Sequence, residues 1–239
     1  MKGLLQHRKL RAPCGIIGGI CASFNKGNAV ISTPSLLHAE GLTSIRSERT
    51  LFSGVSFTLG RGELLHVEGP NGAGKSTLLR MLAGLFSDYQ GAIKWLDGQA
   101  ATSEEVRRQT LFLGHKAGIK AELSALENLA WQQQLDGVQA NAWDLLEQIG
   151  LLGLEDIPAQ QLSAGQQRRI ALTRLWYSPA LVWLLDEPFT ALDRQGIQLL
   201  EQRMQEHLST GGGIIMTSHQ RLSVPAATIL LGAEVMNYD

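Results

Sequence analysis

The hydrophobic positions of this chain change period along its length, and the changes mark out its elements. From about Ala39 the sequence becomes strand-like, and residues 54–59 alternate small or polar with apolar side chains, as a half-buried strand does. A Gly60-Arg61-Gly62 turn leads into a short, largely apolar strand at 64–68, and good helix formers follow at 77–83. Residues 91–98 read as a strand closed by an Asp97-Gly98 turn, and 111–114 as a short buried strand. The signal then becomes helical. Ser124 with Glu127 forms a capping-box pattern opening a helix to about Gln134, and Asn141 can cap a helix over 142–149 whose Trp143, Leu146 and Ile149 share helical spacing. Ser163 with Gln166 repeats the capping box before a helix over about 166–177. Five consecutive apolar residues, 181–185, are too few for most helices and read as a buried parallel strand. A helix over 194–208 and a strand over 213–219 complete the series, so the pattern predicts an α/β fold with an antiparallel β-layer first and a helical insert at about 116–165.

Composition narrows this picture without redirecting it. A chain of 239 residues, 44% hydrophobic and 18% charged, can bury a full core as one α/β domain. The formal net charge of −1 gives no general attraction to nucleic acid or anionic lipid, so no nucleic-acid partner is expected. Cys14 and Cys21, the only cysteines, have neither C-x-x-C spacing nor accompanying histidines. Both lie in residues 1–37, where a basic start precedes a glycine-rich apolar stretch too short to span a bilayer. That segment reads as a disordered extension or the product of an upstream start site, with the folded domain at 38–239.

The chemistry concentrates at four places. Gly69-Pro70-Asn71-Gly72-Ala73-Gly74-Lys75-Ser76 matches G-x-x-x-x-G-K-[ST] between a strand and a helix, which makes it a phosphate-binding loop. Its backbone N–H groups and the positive helix end face an anion, Lys75 adds charge for the β/γ-phosphates, Ser76 can ligate Mg²⁺, and Thr77 completes the nucleotide contacts. Ser163-Ala164-Gly165-Gln166 offers a second anion-facing helix start, although an ordinary capped helix would look the same. Asp186 and Glu187 follow the buried strand directly, at the sheet edge where α/β proteins bind ligands. There Asp186 can hold Mg²⁺ and Glu187 can take a proton from an attacking water. His219, at the end of the last strand, suits a hydrogen bond to a γ-phosphate, or is an edge histidine with no such role.

Together with Ala191-Leu192-Asp193, these motifs resemble the ABC-transporter ATPase family over residues 39–239. The resemblance implies a P-loop NTPase fold, ATP and Mg²⁺, membrane-spanning partner subunits, and a head-to-tail dimer. In that dimer Ser163, Ala164, Gly165 and Gln166 close over ATP bound to the other chain, Asp193 is the D-loop acid and His219 the switch histidine. The sequence departs from the family pattern at Ala164, usually glycine, at His115, where a glutamine is usual, and at Arg46, near the position of an adenine-stacking aromatic residue. An imidazole at 115 can still hydrogen-bond the metal-bound water or the nucleotide, so His115 joins the catalytic set. The run from Gly114 to Lys120, with Leu123 to Leu129 after it, is similar to the haem-exporting branch that serves cytochrome c maturation and feeds a haem chaperone. This implies a peripheral subunit at the cytoplasmic face of the bacterial inner membrane. Another cargo (lipid, peptide or metal) remains an alternative. An action on ribosomes or DNA fits less well, because the chain has one nucleotide-binding loop and no sustained heptads.

Overall fold

The computed structural model describes residues 35–46, 49–95, 103–220 and 223–232, which fall within a single compact unit starting at Ser35. The readings made on residues 1–34, including both cysteines, and on the Asp97-Gly98 turn lie outside the described residues.

Two sheets form the framework. The smaller is antiparallel in the order β2-β1-β4, from β1 (Leu37–Arg46), β2 (Arg49–Leu59) and β4 (Gln90–Trp95). The larger is parallel in the order β5-β6-β7-β3-β8, from β3 (Leu64–Glu68), β5 (Thr110–Leu113), β6 (Val182–Asp186), β7 (Gly213–Thr217) and β8 (Ala227–Leu230). Every residue of β6 and β7 is buried, as expected of central strands covered on both faces.

The period of two separates the two faces cleanly. Leu65, Val67, Val182, Leu184 and Ile215 pack with the antiparallel layer and with α1 (Lys75–Leu82) through Leu78, Leu79, Met81 and Leu82. The alternate residues Leu64, Trp183, Leu185, Ile214 and Met216 pack with Leu172, Leu175, Leu200 and Met204 on the opposite face. Those four come from α5 (Ala164–Leu172), α6 (Arg174–Tyr177) and α7 (Arg194–Ser209). Leu36 and Leu37 are already buried in this core, so they pack with the folded unit, whereas the extension was expected to run to residue 37.

The helical insert holds α3 (Ala125–Asp136) and α4 (Ala142–Gln148), and packs Leu129, Leu145, Leu146 and Ile149 against Leu162 and Ile170. Asp136 at the end of α3 receives two hydrogen bonds from Arg174, at 2.6 and 2.9 Å, and one from the Tyr177 hydroxyl at 2.9 Å, tying the insert to α6.

Several expectations need correction. The helix expected at 166–177 starts at Ala164 and breaks at Thr173 into α5 and α6. Trp143 is 53% exposed, because α4 buries Leu145 and Leu146 instead. A short helix, α2 (Glu104–Gln109), and the edge strand β8 had no counterpart in the sequence reading. The final predicted strand stops at Thr217, two residues before His219.

Candidate active site

The phosphate loop leaves the end of β3 and enters α1 through Gly74, whose left-handed backbone (φ 94°) a side chain would strain. Lys75 opens the helix and folds back so that its Nζ donates to the Gly69 carbonyl at 2.6 Å and the Pro70 carbonyl at 3.2 Å. This arrangement holds the ammonium over the loop, beside a helix N-terminus that itself favours anions.

Thr217, the last residue of β7, connects Asp186 at the end of β6 with Glu187 just beyond it. It is fully buried, and in the sheet register it lies opposite Asp186. Its hydroxyl donates to Asp186 Oδ1 at 2.9 Å and accepts the Glu187 N–H at 2.9 Å. Asp186 is 3% exposed, whereas Glu187 has φ 50° and a side chain 17% exposed. Glu187 Oε2 accepts the His219 N–H at 3.3 Å, and Oε1 lies 3.5 Å from His219 Nε2.

One cleft of about 430 Å³ collects Asn71, Gly72, Gly74, Lys75, Ser76 and Thr77 with His115, Asp186, Glu187 and His219. Sequence-distant residues expected to act together therefore meet. Gly69 faces an adjoining polar cleft with His66 and Glu68, Ala73 is buried in the core, and Pro70 packs near Gly232. Arg46 and Leu51 also line the nucleotide cleft, and its described lining residues include no Phe, Tyr or Trp. Ser76 and Asp186 both line the cleft, and a hydroxyl with a carboxylate is the oxygen chemistry that fits Mg²⁺.

Ser163, Ala164, Gly165 and Gln166 do not join this cleft. They line a separate one of about 600 Å³ with Arg169, Ala191 and Asp193. The capping box is complete: Ser163 Oγ accepts the Gln166 N–H at 3.2 Å, and Gln166 Oε1 accepts the Ser163 N–H at 2.8 Å. Gly165 is needed for close packing, since a Cβ there would sit 2.7 Å from the Ala191 carbonyl oxygen. Asp193 caps α7 through the Gly196 N–H at 2.8 Å and also receives Arg169 at 2.5 Å. Those two bonds, the Gly196 amide first, hold its carboxyl below the ordinary range.

In the loop after His115, Ile119 packs on the insert core, and Lys120, itself exposed, lies over the Trp131 ring at 5.0 Å. Asn128 fixes the Lys120 backbone through both its N–H and its carbonyl. Lys116 remains exposed, beside a cavity of about 160 Å³ bounded by Trp131 and Leu135.

Sequence reasoning missed Thr217 and Arg168. Arg168 is 5% exposed and in helical phase with buried Ala171, Leu172 and Leu175, so an arginine on the apolar stripe was the available signal. For Thr217 the signal was a hydroxyl ending an otherwise apolar strand.

A phosphate loop on one parallel strand, paired acids two strands away and a separate capped Ser-Ala-Gly-Gln helix start define an ATP-binding cassette, and the chain belongs to the ABC transporter family, whose profile matches residues 52–190. It is an ATP-binding, ATP-hydrolysing subunit of that family. The curated relatives are more specific. The chain is 59% identical to the cytochrome c biogenesis ATP-binding export protein CcmA of Idiomarina loihiensis, over 83% of this chain and 93% of the relative. It is 50% identical to CcmA of Escherichia coli K12, over 81% and 94% respectively. Among solved structures, an ABC transporter ATP-binding protein from Pyrococcus furiosus superposes with a TM-score of 0.71 at 26% identity, covering 82% of this chain and 96% of that one.

Proposed function

We propose that this chain hydrolyses ATP at the cleft between the phosphate loop and β6 to power haem handover in cytochrome c biogenesis, working with membrane-spanning subunits. The observation that carries the cargo assignment is the 59% identity with a cytochrome c biogenesis export protein along nearly that protein's whole length. At the site, Lys75 and the loop amides bind the β- and γ-phosphates, with Asn71, Gly72, Gly74 and Thr77 around them. Ser76 and Asp186 would hold Mg²⁺, which when bound would neutralise phosphate charge. Glu187 accepts the proton of the attacking water, His219 contacts the γ-phosphate, and His115 reaches the nucleotide from the facing loop. This division of labour is supported by the shared cleft and by the contacts between Glu187 and His219.

The working unit is a head-to-tail dimer in which Ser163, Ala164, Gly165, Gln166 and Asp193 complete the partner's site. Their separate cleft within one chain supports this. The dimer acts at the cytoplasmic face of the bacterial inner membrane, held there by its membrane subunits, and the loop around Lys116 meets them. Among the described residues no helix is long and apolar enough to cross a membrane.

The test uses bacterial cells lacking their own cytochrome c biogenesis ATPase, supplied with this chain and membrane partners from the same source. Holo-cytochrome c is expected to return, and the Lys75→Ala chain is expected not to restore it. Failure of the unaltered chain, with ATP hydrolysis intact in the purified protein, would remove the haem assignment and leave the family assignment standing.

A further inference from the structure

Arg168 projects from α5 into the region between the His115 loop and the end of β6, and its hydrogen bonds there all go to main-chain carbonyls. Its Nη1 donates to the carbonyls of Gly114 at 3.1 Å and His115 at 3.3 Å. Nη2 donates to those of Asp186 at 3.3 Å and Glu187 at 3.0 Å, and Nε reaches that of Pro188 at 3.4 Å. A guanidinium has five N–H donors, so each has found one carbonyl acceptor. Lysine, with three donors on one nitrogen, cannot span both loops in this way. Burial lowers the pKa of the guanidinium, and the Asp186 and Glu187 carboxylates oppose that shift, so the charge is kept inside at a desolvation cost.

Glu187 is what this cost secures. Its φ of 50° is unfavourable for a non-glycine residue and persists only where neighbours over-determine it. Its N–H is held by the Thr217 hydroxyl and its carbonyl by Arg168. Both peptide groups flanking its Cα are therefore fixed by side chains from other elements, which sets the direction of its carboxylate. The same guanidinium fixes the carbonyl of His115, on the loop across the cleft.

We propose that Arg168 is a positioning residue for ATP hydrolysis: it locks the Glu187 backbone and the His115 loop into one geometry and links both to the helix that begins at Ser163. This rests on Glu187 being the base. Rotation of α5 then shifts the carbonyls on both sides of the cleft together, so the state of the Ser163 helix start reaches the hydrolytic geometry through one side chain.

The test is steady-state ATP hydrolysis by the purified full chain as Arg168→Lys and Arg168→Gln, each also combined with Glu187→Gln, with nucleotide binding and thermal melting measured alongside. In the wild-type background both are expected to lower kcat by roughly 10- to 100-fold, the scale of displacing a reacting group by about an ångström, while KM for ATP stays within about twofold. In the Glu187→Gln background either substitution is expected to change residual single-turnover hydrolysis by less than about twofold, because the group being positioned is gone. Equal fractional losses in both backgrounds would mean a separate structural role and would overturn the proposal, as would a kcat within about twofold of wild type. A loss confined to KM would do the same. Near-normal turnover by Glu187→Gln alone would refute the base itself, and the role of Arg168 with it.

Discussion

At Glu187 the backbone is held on both sides by side chains of other elements, and the carboxylate lies 3.5 Å from Nε2 of the exposed His219. Replacing Glu187 with glutamine keeps the shape but removes the carboxylate that we propose accepts the proton. Glu187→Gln is expected to bind ATP normally and to turn over about 10²- to 10⁴-fold more slowly in a phosphate-release assay. Lys75→Ala is expected to fail earlier, in equilibrium nucleotide binding. A second residue-scale consequence lies away from the site. His207 stacks on Trp183 with ring centroids 3.7 Å apart, and its Nε2–H donates to the Leu181 carbonyl at 3.2 Å. Burial, with a smaller contribution from Arg203, lowers its pKa from 6.5 to about 4. Between those values the unfolded chain takes up a proton that the folded chain refuses, so stability falls as pH drops below about 6.5 and this contribution levels off near 4. The melting temperature of the unaltered protein is therefore expected to fall more steeply from pH 7 to 5 than that of His207→Gln, which can keep the hydrogen bond without titrating.

Helix α5 joins two functions at the scale of an element: it starts at the Ser163 cap and carries Arg168 five residues later. Gly165 lets it approach the loop before α7, so Gly165→Ala must push the Ala191 carbonyl away. That variant is expected to melt lower and to lose most ATPase activity, while Ala164→Gly, at an exposed position, should leave turnover nearly unchanged. The elements that sequence alone revealed have a strong pattern or a cap: β3, β6, the phosphate loop, and the capping boxes of α3 and α5. Those that escaped lack both depth and period. Only Val106 is buried in α2, and only Ile229 in β8. Trp143 had the right spacing on α4 but faces solvent, because periodicity finds a stripe without saying which apolar residue the core has room for. The order of the parallel strands was equally hidden, since a fully apolar strand does not name its neighbours. The candidate site was legible wherever a motif supplied the chemistry, and illegible at Thr217 and Arg168, which act by holding backbone.

On the scale of the whole molecule, the two anion-facing helix starts line different clefts, and the proposed sharing of sites between two copies can be tested directly. Mixing Lys75→Ala with Ser163→Arg chains, each inactive alone, gives one composite site with both defects and one with neither. Activity is expected to return as heterodimers form, and its absence in verified heterodimers would refute sharing between chains. The sheet order also has a temporal side. The strand that delivers the phosphate loop, β3, lies between β7 and β8, which begin at residues 213 and 227. Leu231, just past β8, donates its N–H to the Glu68 carbonyl at 2.8 Å, immediately before the loop. During synthesis at about 5–20 residues per second, β3 emerges with neither neighbour made and waits on the order of ten seconds for them. A chain ended after Gln220 keeps every nucleotide-contacting residue named above yet lacks β8, and it is expected to show no ATP-dependent rise in melting temperature. On the ribosome this ATPase completes its substrate site only after residues 213–230 are made, and until then an interior strand of its parallel sheet depends on whatever shields nascent chains.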